Sequence, residues 1–169
     1  MKNEKYAALL PQAKALCEGE SDIIAKMANI SALLHNEFGF WWTGFYRVVT
    51  EEGGMMNEEL QGRNNNNPSL LTQHSSLILG PFQGPLACMH IAYGRGVCGT
   101  AWKERRTVVV PDVELFPGHI ACSSESRSEI VVPVFHGDDI IAVLDIDSRE
   151  LATFDQTDAH WLEQIVALI

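Results

Sequence analysis

Three of the four cysteines, Cys88, Cys98 and Cys122, lie in stretches rich in glycine and small polar residues, each beside an apolar run: GPFQGPLACMHI, GRGVCGTAW and FPGHIACSSESRSEIVVP. This is the layout of a thiol site rather than of a structural staple. A zinc ribbon would announce itself by close CxxC pairs. Here Cys88 and Cys98 are ten residues apart, and Cys98 and Cys122 twenty-four. A zinc reading would need the looser pairs Cys88–His90 and His119–Cys122. Cys122 is the best nucleophile candidate. The SSESRS segment from Ser123 can open a short helix whose amides favour a thiolate, and Arg127 is a nearby cation. Cys98 has the simpler reading of a small buried group at a helix start, and Cys17 that of a structural thiol.

Carboxylates accompany these thiols. In Leu144–Asp145–Ile146–Asp147 the side chains of a strand alternate, so Asp145 and Asp147 share one face. Glu129 follows the Cys122 segment. Two acids on one strand face are a solvated surface unless a pocket encloses them. In a pocket, one keeps its proton and the other pairs with a cation. Trp42 and Tyr46, four apart on a strand, also share a face, as core or as the wall of a pocket. Together the groups suggest a redox enzyme in which one cysteine attacks, another resolves, and carboxylates handle a proton and a small ligand.

The elements that must position these groups follow from periodicity. Apolar spacing predicts a helix over 3–17, weakened at its centre by Pro11, and a stronger one over 21–38. Ser21 is the expected cap of the second and Gly39 its stop. Residues 40–50 read as a strand, and 51–75, with the run Asn64 to Asn67, as a mobile inserted loop. Strands are expected over 77–79, 87–92, 107–110, 130–135 and 140–146, with a GPFQG turn after the first and a helix over 97–105. The final helix is expected to start at Thr153, with Gln156 completing a capping box. Helices at both ends and about six turn-linked strands give an α+β domain with a central antiparallel sheet.

The totals limit the function classes. At 169 residues the chain fits one domain, 1–169, and at 46% hydrophobic residues it can bury a core without disulfides. Its 12 Lys and Arg against 22 Asp and Glu give a formal charge of −10, which argues against nucleic acid and anionic membrane partners. The N-terminal stretch lacks the apolar core of a signal peptide, and no run approaches spanning length, so the expected compartment is cytoplasmic.

The segments WWTGFY, LGPFQGPLACMHI, GRGVCGTAW, PDVELFPGHIAC, SEIVVP and VLDIDS resemble the free methionine-(R)-sulfoxide reductases, a family of small GAF-domain enzymes, over most of the chain. The resemblance implies a GAF-like sheet and reduction of free L-methionine-(R)-sulfoxide to methionine. Thioredoxin or another dithiol would be the electron donor. No bound cofactor and no metal are implied, and a homodimer is. It makes Cys122 the attacking thiol, Cys88 the resolving one and Cys98 a further family cysteine. Glu129, Asp145 and Asp147 become pocket acids, Asp145 or Asp147 the proton donor, and Trp42 and Tyr46 the aromatic wall. Two departures stand out: Ser123 follows the nucleophile where the family commonly has an acid, and the 51–75 insertion is longer than in many relatives. Three carboxylates near Cys122 would oppose its thiolate unless the ammonium of a free amino acid offsets them. Two rival readings are a non-catalytic GAF sensor of a small ligand or redox state, and a zinc-binding module.

Overall fold

Six strands form one antiparallel sheet in a computed structural model that describes residues 1–50, 75–120 and 124–169. They are β1 (Trp42–Thr50), β2 (Ser75–Gln83), β3 (His90–Ala92), β4 (Val108–Val110), β5 (Ser128–His136) and β6 (Asp139–Ser148). Their order across the sheet is β3-β2-β1-β6-β5-β4. The described helices are α1 (Lys2–Cys17), α2 (Ile23–Phe38), α3 (Gly96–Glu104) and α4 (Gln156–Val166). The expected α+β class and six-stranded sheet are therefore observed. The 51–74 part of the expected loop lies outside the described residues.

The period-two alternation of β1, β5 and β6 divides the interior into two layers. Phe45, Ile130, Val132, Leu144 and Ile146 point to one face and pack with Tyr6 and Leu9 of α1, Met27, Ile30 and Leu34 of α2, and Leu162 and Ile165 of α4. Trp42, Tyr46, Val131 and Val143 point to the other and meet Val97, Cys98, Ala101 and Trp102 of α3. One face is thus sealed by three long helices. The other has a single short helix over it, which leaves room for a cleft.

α1 runs from Lys2 to Cys17 with Pro11 inside it, as expected. Other local expectations are corrected. Asp22, not Ser21, caps α2, its carboxylate accepting from the Ile24 amide at 2.8 Å; Gly39 stops the helix in the left-handed region as expected. β2 does not turn at GPFQG but continues to Gln83. β3 pairs only with Ser76–Ile78, and the β1–β2 register shifts between Gly44 and Tyr46, so Pro81 sits at a bulge where no ladder bond requires its missing N–H. The strand expected over 87–92 accordingly shortens to His90–Ala92, and Cys88 lies on a loop. Finally, α4 starts at Gln156. Asp155 is its cap, with Asp158 completing the box, while the Thr153 hydroxyl instead donates to Ser148 and the Glu150 carbonyl.

Candidate active site

Strand register gathers the acids. Trp42 faces Asp147 across β1 and β6, and Asp147 faces Glu129 across β6 and β5. The next outward-facing row is Gly44, Asp145 and Val131. Both rows lie on the face under α3, so three carboxylates from two strands converge there. Glu129 and Asp145 are only 6% and 7% exposed. Cys98, in the first turn of α3, comes down onto the same spot. Its sulfur and a carboxylate oxygen from each of Glu129 and Asp145 lie within 4.8 Å of one another.

Gly44 makes this floor possible. A Cβ there would stand 2.5 Å from the Trp42 ring and 2.4 Å from the Phe82 Cβ. Without it, Trp42 stacks between Phe82, at 5.4 Å between centroids, and Tyr46, at 5.9 Å. The polar tips of this wall have partners on one loop. The Trp42 indole donates to the Pro85 carbonyl at 3.1 Å, and the Tyr46 hydroxyl donates to the Cys88 carbonyl at 3.0 Å. The wall therefore clamps the segment that carries Cys88.

A cleft of about 550 Å³, its open mouth included, is lined by these residues together with Arg95, Ile120 and His119. Its electrostatics are unusual for an acidic protein at neutral pH. Burial, then the charges of Asp145 and Asp147, push the Glu129 carboxyl well above the usual range. Burial and Asp147 do the same to Asp145, although its hydrogen bonds with Cys98 and Glu129 pull the other way. Burial raises Asp147 to about 6 against an opposing hydrogen bond from Ser126. Burial and the neighbouring acids raise the Cys98 thiol well above its ordinary value. His119, whose Nε2 is 3.7 Å from Glu129, is held down by burial, which favours its neutral form. The floor thus favours protons or a cation: several groups cannot all be charged in one desolvated space.

Most of the expected site residues meet here. Trp42, Tyr46, Cys98, Glu129, Asp145 and Asp147 all line the cleft. Cys88 is on the clamped loop and is disulfide-bonded, while Cys17 and Cys98 are free thiols. A disulfide sulfur offers no thiolate, so the Cys88–His90 zinc pair does not operate in this state. Cys122 and Ser123 lie outside the described residues. Reasoning from sequence missed Arg95 and Ser126 as cleft residues. The signal for Arg95 was present: a lone cation between Gly94 and Gly96 at a helix start.

Comparison with known proteins places this site in a family. A family model described as GAF domain matches residues 28–169. GAF domain-containing protein A of Dictyostelium discoideum is 48% identical over 168 residues, covering 99% of this chain and 92% of that protein. The free methionine-R-sulfoxide reductase of Escherichia coli (strain K12) is 40% identical over 167 residues, covering 98% of this chain and 87% of that protein. This chain belongs to the free methionine-R-sulfoxide reductase family of GAF-domain proteins. A solved reductase of that family, from Neisseria meningitidis in complex with its substrate, superposes with a TM-score of 0.82 at 44% identity, covering 99% of this chain and 87% of that one. Among the described residues no helix is long and apolar enough to cross a membrane.

Proposed function

We propose that this chain reduces free L-methionine-(R)-sulfoxide to L-methionine, with a thioredoxin-type dithiol as reductant. The observation that carries the reading is the triad of buried Glu129 and Asp145 with half-buried Asp147, under an aromatic wall in a chain 40% identical to a protein of that name. The substrate ammonium supplies the positive charge that this floor lacks, and Trp42 and Tyr46 hold the methyl and thioether end. The substrate carboxylate is directed to Arg95 and to backbone amides of the Gly118–Ser124 loop, of which 121–123 lie outside the described residues.

The chemistry needs a thiolate and a proton. The Cys122 thiolate attacks the sulfoxide sulfur while a carboxylic acid, Asp145 or Asp147, protonates the oxygen. The oxygen ends on the cysteine: the sulfoxide gains two electrons and leaves as a thioether, and Cys122 loses two and becomes a sulfenic acid. The Cys88 thiol then attacks that sulfur, an S–S bond forms, and the oxygen departs as water. An external dithiol restores both thiols by exchange and is itself oxidised. The disulfide at Cys88 supports a place for that thiol in the disulfide-forming step.

Turnover with dithiothreitol on free methionine-R-sulfoxide, free methionine-S-sulfoxide and an N-blocked R-sulfoxide tests the reading. The expected result is turnover of the free R form alone, lost in Cys122→Ser. No turnover of any of the three would instead favour a ligand-binding sensor.

A further inference from the structure

Cys98 has no step in that reaction, yet it is 3% exposed and aimed at two buried carboxylates. We propose that Cys98, Glu129 and Asp145 form a binding site for a borderline-soft divalent cation of the zinc class, exclusive with the substrate ammonium. The exclusivity rests on the functional reading above; the metal site does not.

Three observations support it. The ligand atoms lie within 4.8 Å of one another, somewhat wider than the roughly 3.5 Å separation of ligands around a four-coordinate zinc, so the set would have to contract on binding. Asp145 is 7% exposed, and its Oδ1 has no hydrogen-bond partner, so a buried acceptor faces the cleft unsatisfied. An ammonium answers the carboxylates and a hydrogen bond to Asp145 occupies the Cys98 thiol, and the same one sulfur and two carboxylate oxygens are a zinc-type donor set once the thiol loses its proton. His119 approaches Glu129 at 3.7 Å but is not among the three mutually close ligands, so the fourth position of the shell falls to water. This set shares no cysteine with the Cys88 and Cys122 pairs of the sequence reading. On binding, the cation displaces the Cys98 thiol proton and any proton shared between the two acids, and no group is oxidised or reduced.

The thiol sets the selectivity. Hard magnesium and calcium prefer all-oxygen shells and gain little from sulfur. A cleft holding zinc leaves the substrate ammonium only Asp147 of its three carboxylates, so trace zinc would act as a reversible brake on the enzyme.

Cobalt(II) titration of the full chain, oxidised so that Cys88 is in its disulfide, is the direct test. One equivalent of cobalt should produce a thiolate-to-cobalt charge-transfer band, displaced by zinc and untouched by excess magnesium. The band should be absent in Cys98→Ser and kept in Cys17→Ser. Glu129→Gln, which leaves the thiol in place, should keep the band but weaken cobalt binding at least tenfold. Absence of the band in the parent protein, or its survival in Cys98→Ser, would overturn the site. Excess free methionine should raise the apparent dissociation constant for cobalt. A Cys98-dependent band that methionine does not shift would uphold the metal site and overturn the placement of the ammonium on Glu129 and Asp145.

Discussion

At the scale of single residues, the aromatic wall has two duties. The rings of Trp42 and Tyr46 line the cleft, while their polar atoms hold Pro85 and Cys88. Tyr46→Phe keeps the ring and removes one bond to the Cys88 carbonyl. We expect the first equivalent of methionine to form at close to the parent rate in rapid-quench experiments. Steady-state turnover should fall by about tenfold, because a misplaced Cys88 resolves slowly. Equal loss in both phases would reduce Tyr46 to a substrate contact. Gly44 is the opposite case, needed for what it lacks. Gly44→Ala drives a methyl into Trp42 and Phe82 and should cost about 2 kcal/mol in urea unfolding.

At the scale of elements, α3 decides how closely Cys98 approaches the acids. Its Gly99 packs on the β3 end: a Cβ there would lie 2.5 Å from the Ala92 carbonyl, a backbone atom that no rotamer change can move. Gly99→Ala should therefore lift the helix and destabilise the chain by about 2 kcal/mol in chemical denaturation. It should also weaken any ligand held between α3 and the sheet. Sequence alone gave α3 nearly its true span but not its separation from β6. Helical periodicity is local, whereas that separation depends on a glycine meeting a carbonyl from another element.

At the scale of the whole molecule, two networks respond to charge. Asp158, fully buried in α4, accepts from the Tyr6 hydroxyl at 2.9 Å and from Lys2 at 2.6 Å, which ties the first helix to the last. Asp158→Ala should cost about 2–3 kcal/mol in unfolding free energy, since a buried phenol loses its acceptor as well. The cleft acids act in the other direction. Asp147 moves from an ordinary 3.8 to about 6 on folding, so between these values the folded state binds more protons than the unfolded one. Its contribution to stability is complete at pH below 3.8 and is lost as pH rises through 6. The substrate-free protein should lose more melting temperature than Asp147→Asn over that window. Parallel melting curves for the two would show that burial does not raise this carboxyl.

The sequence by itself determined the order of the elements, the alternation that puts Asp145 with Asp147 and Trp42 with Tyr46, and the Gly-rich contexts of the cysteines. All of these are local properties of neighbouring residues. It placed the caps of α2 and α4 one and two residues early, because Ser21 and Thr153 have side chains as suitable as those of Asp22 and Asp155. It also turned β2 too soon, because Gly80 and Pro81 mark turns unless a partner strand offers a bulge to hold them. Only the tertiary structure brought Glu129 beside Asp147, set Cys98 over Glu129 and Asp145 and fixed the Cys88 loop to the aromatic wall. Those approaches join residues far apart in the chain through strand register and close packing, and no local pattern encodes the desolvation that raises the proton affinity of the acids.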